Sequence, residues 1–225
     1  MGRDLFKAYP AARDLYERAD AILDRPISSL CFEGPDSELS KTFNCQPAIY
    51  VTSLACLKAA RACGAVSGDP AFVAGHSLGE YTALTAAGAL DFEAGLRLVE
   101  TRGRLTQAAA DTTPGAMAAI LGLDEASAEA VCRDAGAELC NINSPGQIVI
   151  GGTNDAVARA CALAVERGAK RAIPLDVGGA FHTSLMQPAV AAMADAVAAA
   201  GIRAPRVPVV TNDTALPATD AAEIE

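Results

Sequence analysis

The sequence predicts an α/β protein in which a small β-α-β-β-α-β unit interrupts a larger layered domain. Short apolar runs of strand length alternate with longer stretches whose apolar residues recur at helical spacing. Between Gly115 and Val177 the order is strand, helix, two strands across a tight turn, helix and strand, the ferredoxin-like plan. Upstream, the apolar run Ala71–Gly75 leads directly into a helical pattern, so a buried strand meets a helix across one tight turn. A chain of 225 residues accommodates one large domain with a smaller one inserted.

The elements follow in order. Leu5–Leu23 has helical spacing and Pro26 marks its end; a loop then leads to a helix from Asn44 to Cys63, with Pro47 in its first turn. The strand at 71–75 is followed by a helix from Leu78 towards Ala87, and another starts behind Asp91 and runs to about residue 110. In the inserted unit the strands are Met117–Leu123, Glu138–Asn143, Gln147–Gly151 and Lys170–Val177. The helices are Glu125–Ala135, closed by Gly136, and one capped by Asn154 that stops at Gly168. A helix at Leu185–Ala200 and a strand at Val207–Thr211 return to the larger domain, and the tail from Ala215 is polar and without clear pattern. The expected division is therefore 1–112 with 178–225 for the core and 113–177 for the insert.

Composition narrows the function. There are 18 basic and 27 acidic residues, a net charge of −9, which argues against a surface built to neutralise nucleic-acid phosphates. Hydrophobic residues make up 51% and charged ones 20%, the balance of a globular protein. No apolar stretch approaches ~18 residues, and the charged start lacks a signal-peptide core. The seven cysteines are odd in number and contain no Cys-x-x-Cys pair, so reduced thiols in a cytoplasmic protein are expected rather than disulfides or a zinc site. No cofactor or metal is expected.

Gly75-His76-Ser77-Leu78-Gly79 fits Gly-x-Ser-x-Gly, and it lies between a strand and a helix, where a nucleophile elbow has to be. Ser77 is the candidate nucleophile, and the backbone N–H of Leu78 the candidate oxyanion donor at the helix start. A serine hydroxyl needs a base. Of two histidines, His76 adjoins the serine and points elsewhere in such a turn, which leaves His182, in a loop behind Gly178-Gly179-Ala180-Phe181. On a helical wheel Arg102 falls between two apolar groups, opposite the face of Glu93, Arg97, Glu100 and Arg104. An inward guanidinium requires an anion, either an internal carboxylate or an anionic substrate.

Ser77, Arg102 and His182, with the elbow spelled Gly-His-Ser-Leu-Gly-Glu, resemble the malonyl-CoA:acyl carrier protein transacylases and the similar acyltransferase domains of polyketide synthases. Gln46-Pro47-Ala48, Val99–Gly103, Gly115–Ile120, Asn141–Gly146 and Gly179–His182 extend the likeness over essentially the whole chain. The resemblance implies a hydrolase-like parallel-sheet core around the ferredoxin-like insert. It implies ping-pong transfer of malonyl from malonyl-CoA to the phosphopantetheine thiol of acyl carrier protein, in fatty acid biosynthesis, with Ser77 acylated and His182 as base. Arg102 would hold the malonyl carboxylate, and Phe181, Gln46 and Asn143 would line the substrate site. Met1-Gly2-Arg3-Asp4 is similar to the segment just after the family's Gly-Gln-Gly strand, and the far end stops before its last elements. A fragment, as a monomer, is therefore the expectation.

Three other readings remain at this point. One is a polyketide-type acyltransferase, and another a non-catalytic domain that docks carrier proteins. The third, an ordinary serine hydrolase, calls for an acid such as Asp176. For an acidic carrier, Lys58, Arg61, Lys170 and Arg171 are candidate docking cations.

Overall fold

The structure, a computed structural model, describes residues 1–224. Its contacts divide the chain into two compact units, residues 1–104 with 192–225 and residues 105–191.

The first unit opens with α1 (Arg3–Ala8) and α2 (Pro10–Leu23), where the sequence predicts one continuous helix. Tyr9 is extended because Pro10 follows it, and Pro10 starts a new helix at the position that tolerates it best. The expected loop also contains α3 (Ile27–Glu33) and α4 (Asp36–Leu39). Burial of Ile27 and Cys31, one helical turn apart, stabilises α3, and the Asp20 carboxylate accepts from the Ser28 N–H at 2.8 Å. Helix α5 (Thr42–Ala62) begins early enough to place Pro47 inside it rather than in its first turn. Proline provides no N–H for the Phe43 carbonyl, which instead accepts from Arg25 Nη2 at 3.1 Å.

Strand β1 (Val73–Ala74) leads to α6 (Gly79–Ala87) and α7 (Phe92–Thr112). β1 is shorter and more exposed than the buried strand expected: Phe72 is 55% exposed and Ala74 lies at the surface. The reason is that, among the described residues, it has a neighbour on one side alone. The main core of this unit joins Leu15, Tyr16, Tyr50, Val51, Leu54, Leu96 and Val99. On α7, exposed Arg97 pairs with exposed Glu93, whereas exposed Arg104 pairs with the half-buried Glu100, which also lies 3.6 Å from Arg25.

The second unit holds β2 (Ala116–Leu121), α8 (Glu125–Ala135), β3 (Glu138–Ser144), β4 (Gln147–Gly152), α9 (Asn154–Glu166) and β5 (Arg171–Pro174). Sheet order β3-β4-β2-β5 with every pairing antiparallel is the ferredoxin-like arrangement. The cap of α9 is Thr153, not Asn154: its side chain accepts from the Ala156 N–H at 3.3 Å, and Asn154 is already helical. The unit extends beyond 113–177. Ala109 and Ala110 of α7 pack with Met186 and Phe181, and Gly179 fits where a Cβ would stand 2.6 Å from that of Ala110.

A short 3₁₀ turn at Ser184–Met186 precedes α10 (Gln187–Ala199). Back in the first unit, β6 (Val209–Val210) pairs parallel with β1, and β7 (Pro217–Ala218) pairs antiparallel with β6. A short α11 (Ala221–Ile224) follows. The tail from Ala215 is thus structured; its signal is weak because each element is short, and burial of Ala218 against neighbouring structure replaces local pattern.

Candidate active site

Each end of the elbow is held differently. Gly75 is required, since a Cβ there would lie 1.9 Å from the Gly79 carbonyl oxygen, whereas a Cβ on Gly79 would meet nothing within 4 Å. Ser77 takes a left-handed backbone, φ 52°, which costs a non-glycine residue energy that the surroundings must supply. The N–H groups of Gly79, Glu80 and Tyr81 bond back to the carbonyls of His76, Ser77 and Leu78. Leu78 buries its side chain in the main core, and its own N–H has no acceptor among the described residues. That leaves one donor at the helix start for an oxyanion.

Arg102 reaches this serine because α7 packs closely on its neighbours. At Gly95 a Cβ would come within 2.3 Å of the Tyr50 hydroxyl, and at Gly103 within 2.9 Å of Phe43 Cα, at the start of α5. With α7 so close, Arg102 Nη1 donates to Gln46 Oε1 at 2.7 Å and Nη2 to Ser77 Oγ at 2.9 Å. Burial lowers the pKa of the guanidinium from arginine's usual range; Tyr81, by charge and hydrogen bond, and Glu80 act the other way. The Tyr81 hydroxyl is in turn raised, by burial first. Ser77, Leu78, Gln46 and Arg102, named from sequence, therefore meet in one unit.

Sequence reasoning missed Asn212. Its side chain accepts from the Ser77 N–H at 2.9 Å and donates to the Gly75 carbonyl at 2.8 Å and to Glu80 Oε2 at 2.7 Å. The sole sequence signal was an asparagine directly after the strand expected at Val207–Thr211.

His182, Phe181 and Asn143 belong to the second unit. His182 is exposed and left-handed, φ 61°. Its flanks hold it there: Ala180 is fully buried, buried Thr183 donates to the Ala180 carbonyl at 2.6 Å, and Glu138 accepts from the Ser184 N–H at 2.9 Å and hydroxyl at 2.6 Å. Phe181 is half-buried against Ala109, Ala110 and Met186. Asn143 is exposed and lies at a break in the β3–β4 register between Ile142 and Ser144, a bulge of the kind that re-aims a side chain. Asp176, the acid a plain hydrolase would call on, is exposed beyond β5.

A serine on a strand–elbow–helix turn, contacted by a half-buried arginine in a chain that also holds a ferredoxin-like unit, is the arrangement expected of a serine acyltransferase. The chain belongs to the acyl transferase domain family, whose model matches residues 1–224. It is 45% identical over 230 residues to the malonyl CoA-acyl carrier protein transacylase of Bacillus subtilis (strain 168), spanning 100% of this chain and 72% of that one. The acyl-carrier-protein-S-malonyltransferase of Bartonella henselae superimposes with a TM-score of 0.93 at 40% identity, over 100% of this chain and 73% of that one. A malonyl-transacylase in complex with its type II polyketide acyl-carrier protein gives a TM-score of 0.93 at 38% identity, with the same shares. No helix among the described residues is long and apolar enough to cross a membrane.

Proposed function

We propose that this protein transfers a malonyl group from malonyl-CoA to the phosphopantetheine thiol of an acyl carrier protein, as a step of fatty acid synthesis. The observation that carries this reading is the 2.9 Å contact between a half-buried guanidinium and the candidate nucleophile. A cation placed on the attacking oxygen suits an acyl group with a carboxylate of its own, and an acetyl group would leave that guanidinium without an anion.

In the proposed cycle Ser77 Oγ attacks the thioester carbonyl while His182 takes its proton. The Leu78 N–H stabilises the tetrahedral oxyanion, the carbon–sulfur bond breaks, and CoA leaves as the thiol with the proton returned by His182. The carrier thiol then attacks the malonyl-serine ester, its proton passing through His182 to Ser77 as the ester bond breaks. Arg102, assisted by Gln46, holds the malonyl carboxylate throughout. Phe181 and Asn143 line the acyl pocket. Lys58, Arg61, Lys170 and Arg171 are the proposed contacts to an acidic carrier. Seven free cysteines suit a reducing compartment, the cytoplasm.

Mass spectrometry after mixing with malonyl-CoA tests the reading. A malonyl adduct on Ser77, discharged by holo-acyl carrier protein and absent in Ser77→Ala, is expected. Rapid release to water without dependence on a carrier would establish a hydrolase instead. A polyketide role gains support from the carrier-bound relative, and comparison of carriers from the two pathways separates it from fatty acid synthesis.

A further inference from the structure

We propose that Asn212, paired with Glu80, is a positioning residue that holds the Ser77 elbow in its left-handed conformation. The inference rests on Ser77 being the nucleophile of the proposed transfer.

β1 and β6 pair as parallel strands through Val73↔Val209 and Ala74↔Val210. Beyond Ala74 the chain turns into the elbow, and among the described residues no further backbone pair continues the ladder. Asn212 continues it with its side chain. Its Nδ2 donates to the Gly75 carbonyl at 2.8 Å and its Oδ1 accepts from the Ser77 N–H at 2.9 Å, which brackets His76 as the main chain of a parallel strand would. The bond to Ser77 spans 135 residues of sequence.

Glu80 then determines which way the amide faces. Its Oε1 accepts from the Asn212 backbone N–H at 3.0 Å and its Oε2 from Asn212 Nδ2 at 2.7 Å. Nδ2 faces two acceptors and Oδ1 one donor, so a flipped amide would break three contacts. Because Glu80 sits in the first turn of α6, the carboxylate also ties the strand end, the elbow and the helix start into one ring. The ring engages the Ser77 N–H and leaves that of Leu78 for the oxyanion.

The test exploits reciprocity. Asn212→Asp places two carboxylates face to face and removes the donor to Gly75. Glu80→Gln turns a donor towards the donors of Asn212. Combining them restores complementarity, because the side-chain amide introduced at position 80 can donate to the new carboxylate and still accept from the backbone N–H. Each single variant should slow acylation of Ser77 by malonyl-CoA about 10–100-fold with KM changed less than about threefold, and the pair should regain about tenfold over Asn212→Asp. Asn212→Ser, a milder truncation, keeps the test open if Asn212→Asp fails to fold. Independently of turnover, the Ser77 amide should exchange with deuterium at least about tenfold faster in each single variant and slow again in the pair. Unchanged acylation and exchange would overturn the proposal. So would losses in the pair equal to those of the single variants, tracking thermal stability alone. Should the parent chain form no malonyl-serine, the transfer reading fails, and amide exchange still decides the role of Asn212.

Discussion

Arg102 Nη2 and Ser77 Oγ stand 2.9 Å apart, so the residue that would bind the acyl chain's free carboxylate also contacts the atom that would attack its thioester. In the proposed transfer one guanidinium would thereby link specificity to the position of the attacking oxygen, and a malonyl carboxylate would arrive next to Ser77. Gln46, on the other nitrogen at 2.7 Å, fixes the plane of the fork.

Replacing Arg102 should therefore separate donors. Arg102→Ala is expected to lower kcat/KM for malonyl-CoA by about 10²-fold or more and that for acetyl-CoA by much less. Arg102→Lys keeps the charge but cannot serve Gln46 and Ser77 together, and should remain at least about tenfold impaired. Steady-state kinetics with both donors checks this.

The two motif glycines should behave differently. Gly75→Ala introduces a Cβ 1.9 Å from the Gly79 carbonyl oxygen and should destabilise the fold by about 2 kcal/mol or more, with loss of acylation. Gly79→Ala meets open space and should retain stability within about 0.5 kcal/mol. Urea unfolding of the two variants side by side gives the comparison.

Glu138 should matter to turnover although it lies on β3. Glu138→Ala removes both acceptors of Ser184 and frees the segment that keeps His182 left-handed. We expect a fall in kcat of about tenfold, KM for malonyl-CoA nearly unchanged, and faster amide exchange around residues 182–186. Glu138→Gln, which can still accept one of the two bonds, should lie between.

Alkaline pH should destabilise the protein from about pH 9. Burial pushes the Cys31 and Cys132 thiols up to about 11 and that of Cys140 up to about 12, while the same thiols in an unfolded chain ionise near 9. Their contribution is complete below pH 9 and is lost as pH rises towards 11–12, because the unfolded chain sheds protons the folded one keeps. Tyr16, raised to about 12 by burial, extends the loss. The melting temperature should fall by several degrees between about pH 8 and about pH 10.5, and at about pH 8 iodoacetamide should label exposed Cys56 and Cys63 ahead of buried Cys31 and Cys132.

The order of elements within the inserted unit was legible because their endings are local. Gly136, Gly146 and Gly168 have φ of 71°, 74° and 95°, so each ending is specified by the one residue type that adopts it cheaply. The elbow and the inward side of α7 were legible for similar reasons, one from a five-residue motif and the other from helical periodicity. Helices α3 and α4 were not, since α3 becomes helical by burying Ile27 and Cys31 in a core built from distant segments and α4 is a single short turn. Asn212 was invisible because nothing local distinguishes it from any asparagine in a turn.

The sequence by itself determined the turn that carries Ser77, the helix that carries Arg102 and the order of the insert, because each depends on propensities and periodicities within a few residues. Only the tertiary structure decided that Gln46 would share Arg102 with Ser77, and that Asn212 would complete the elbow from 135 residues away. Those meetings depend on close approaches such as Gly103 against Phe43 and on a strand pairing between distant segments. Such contacts form when the whole core packs, and no short window of sequence encodes that packing.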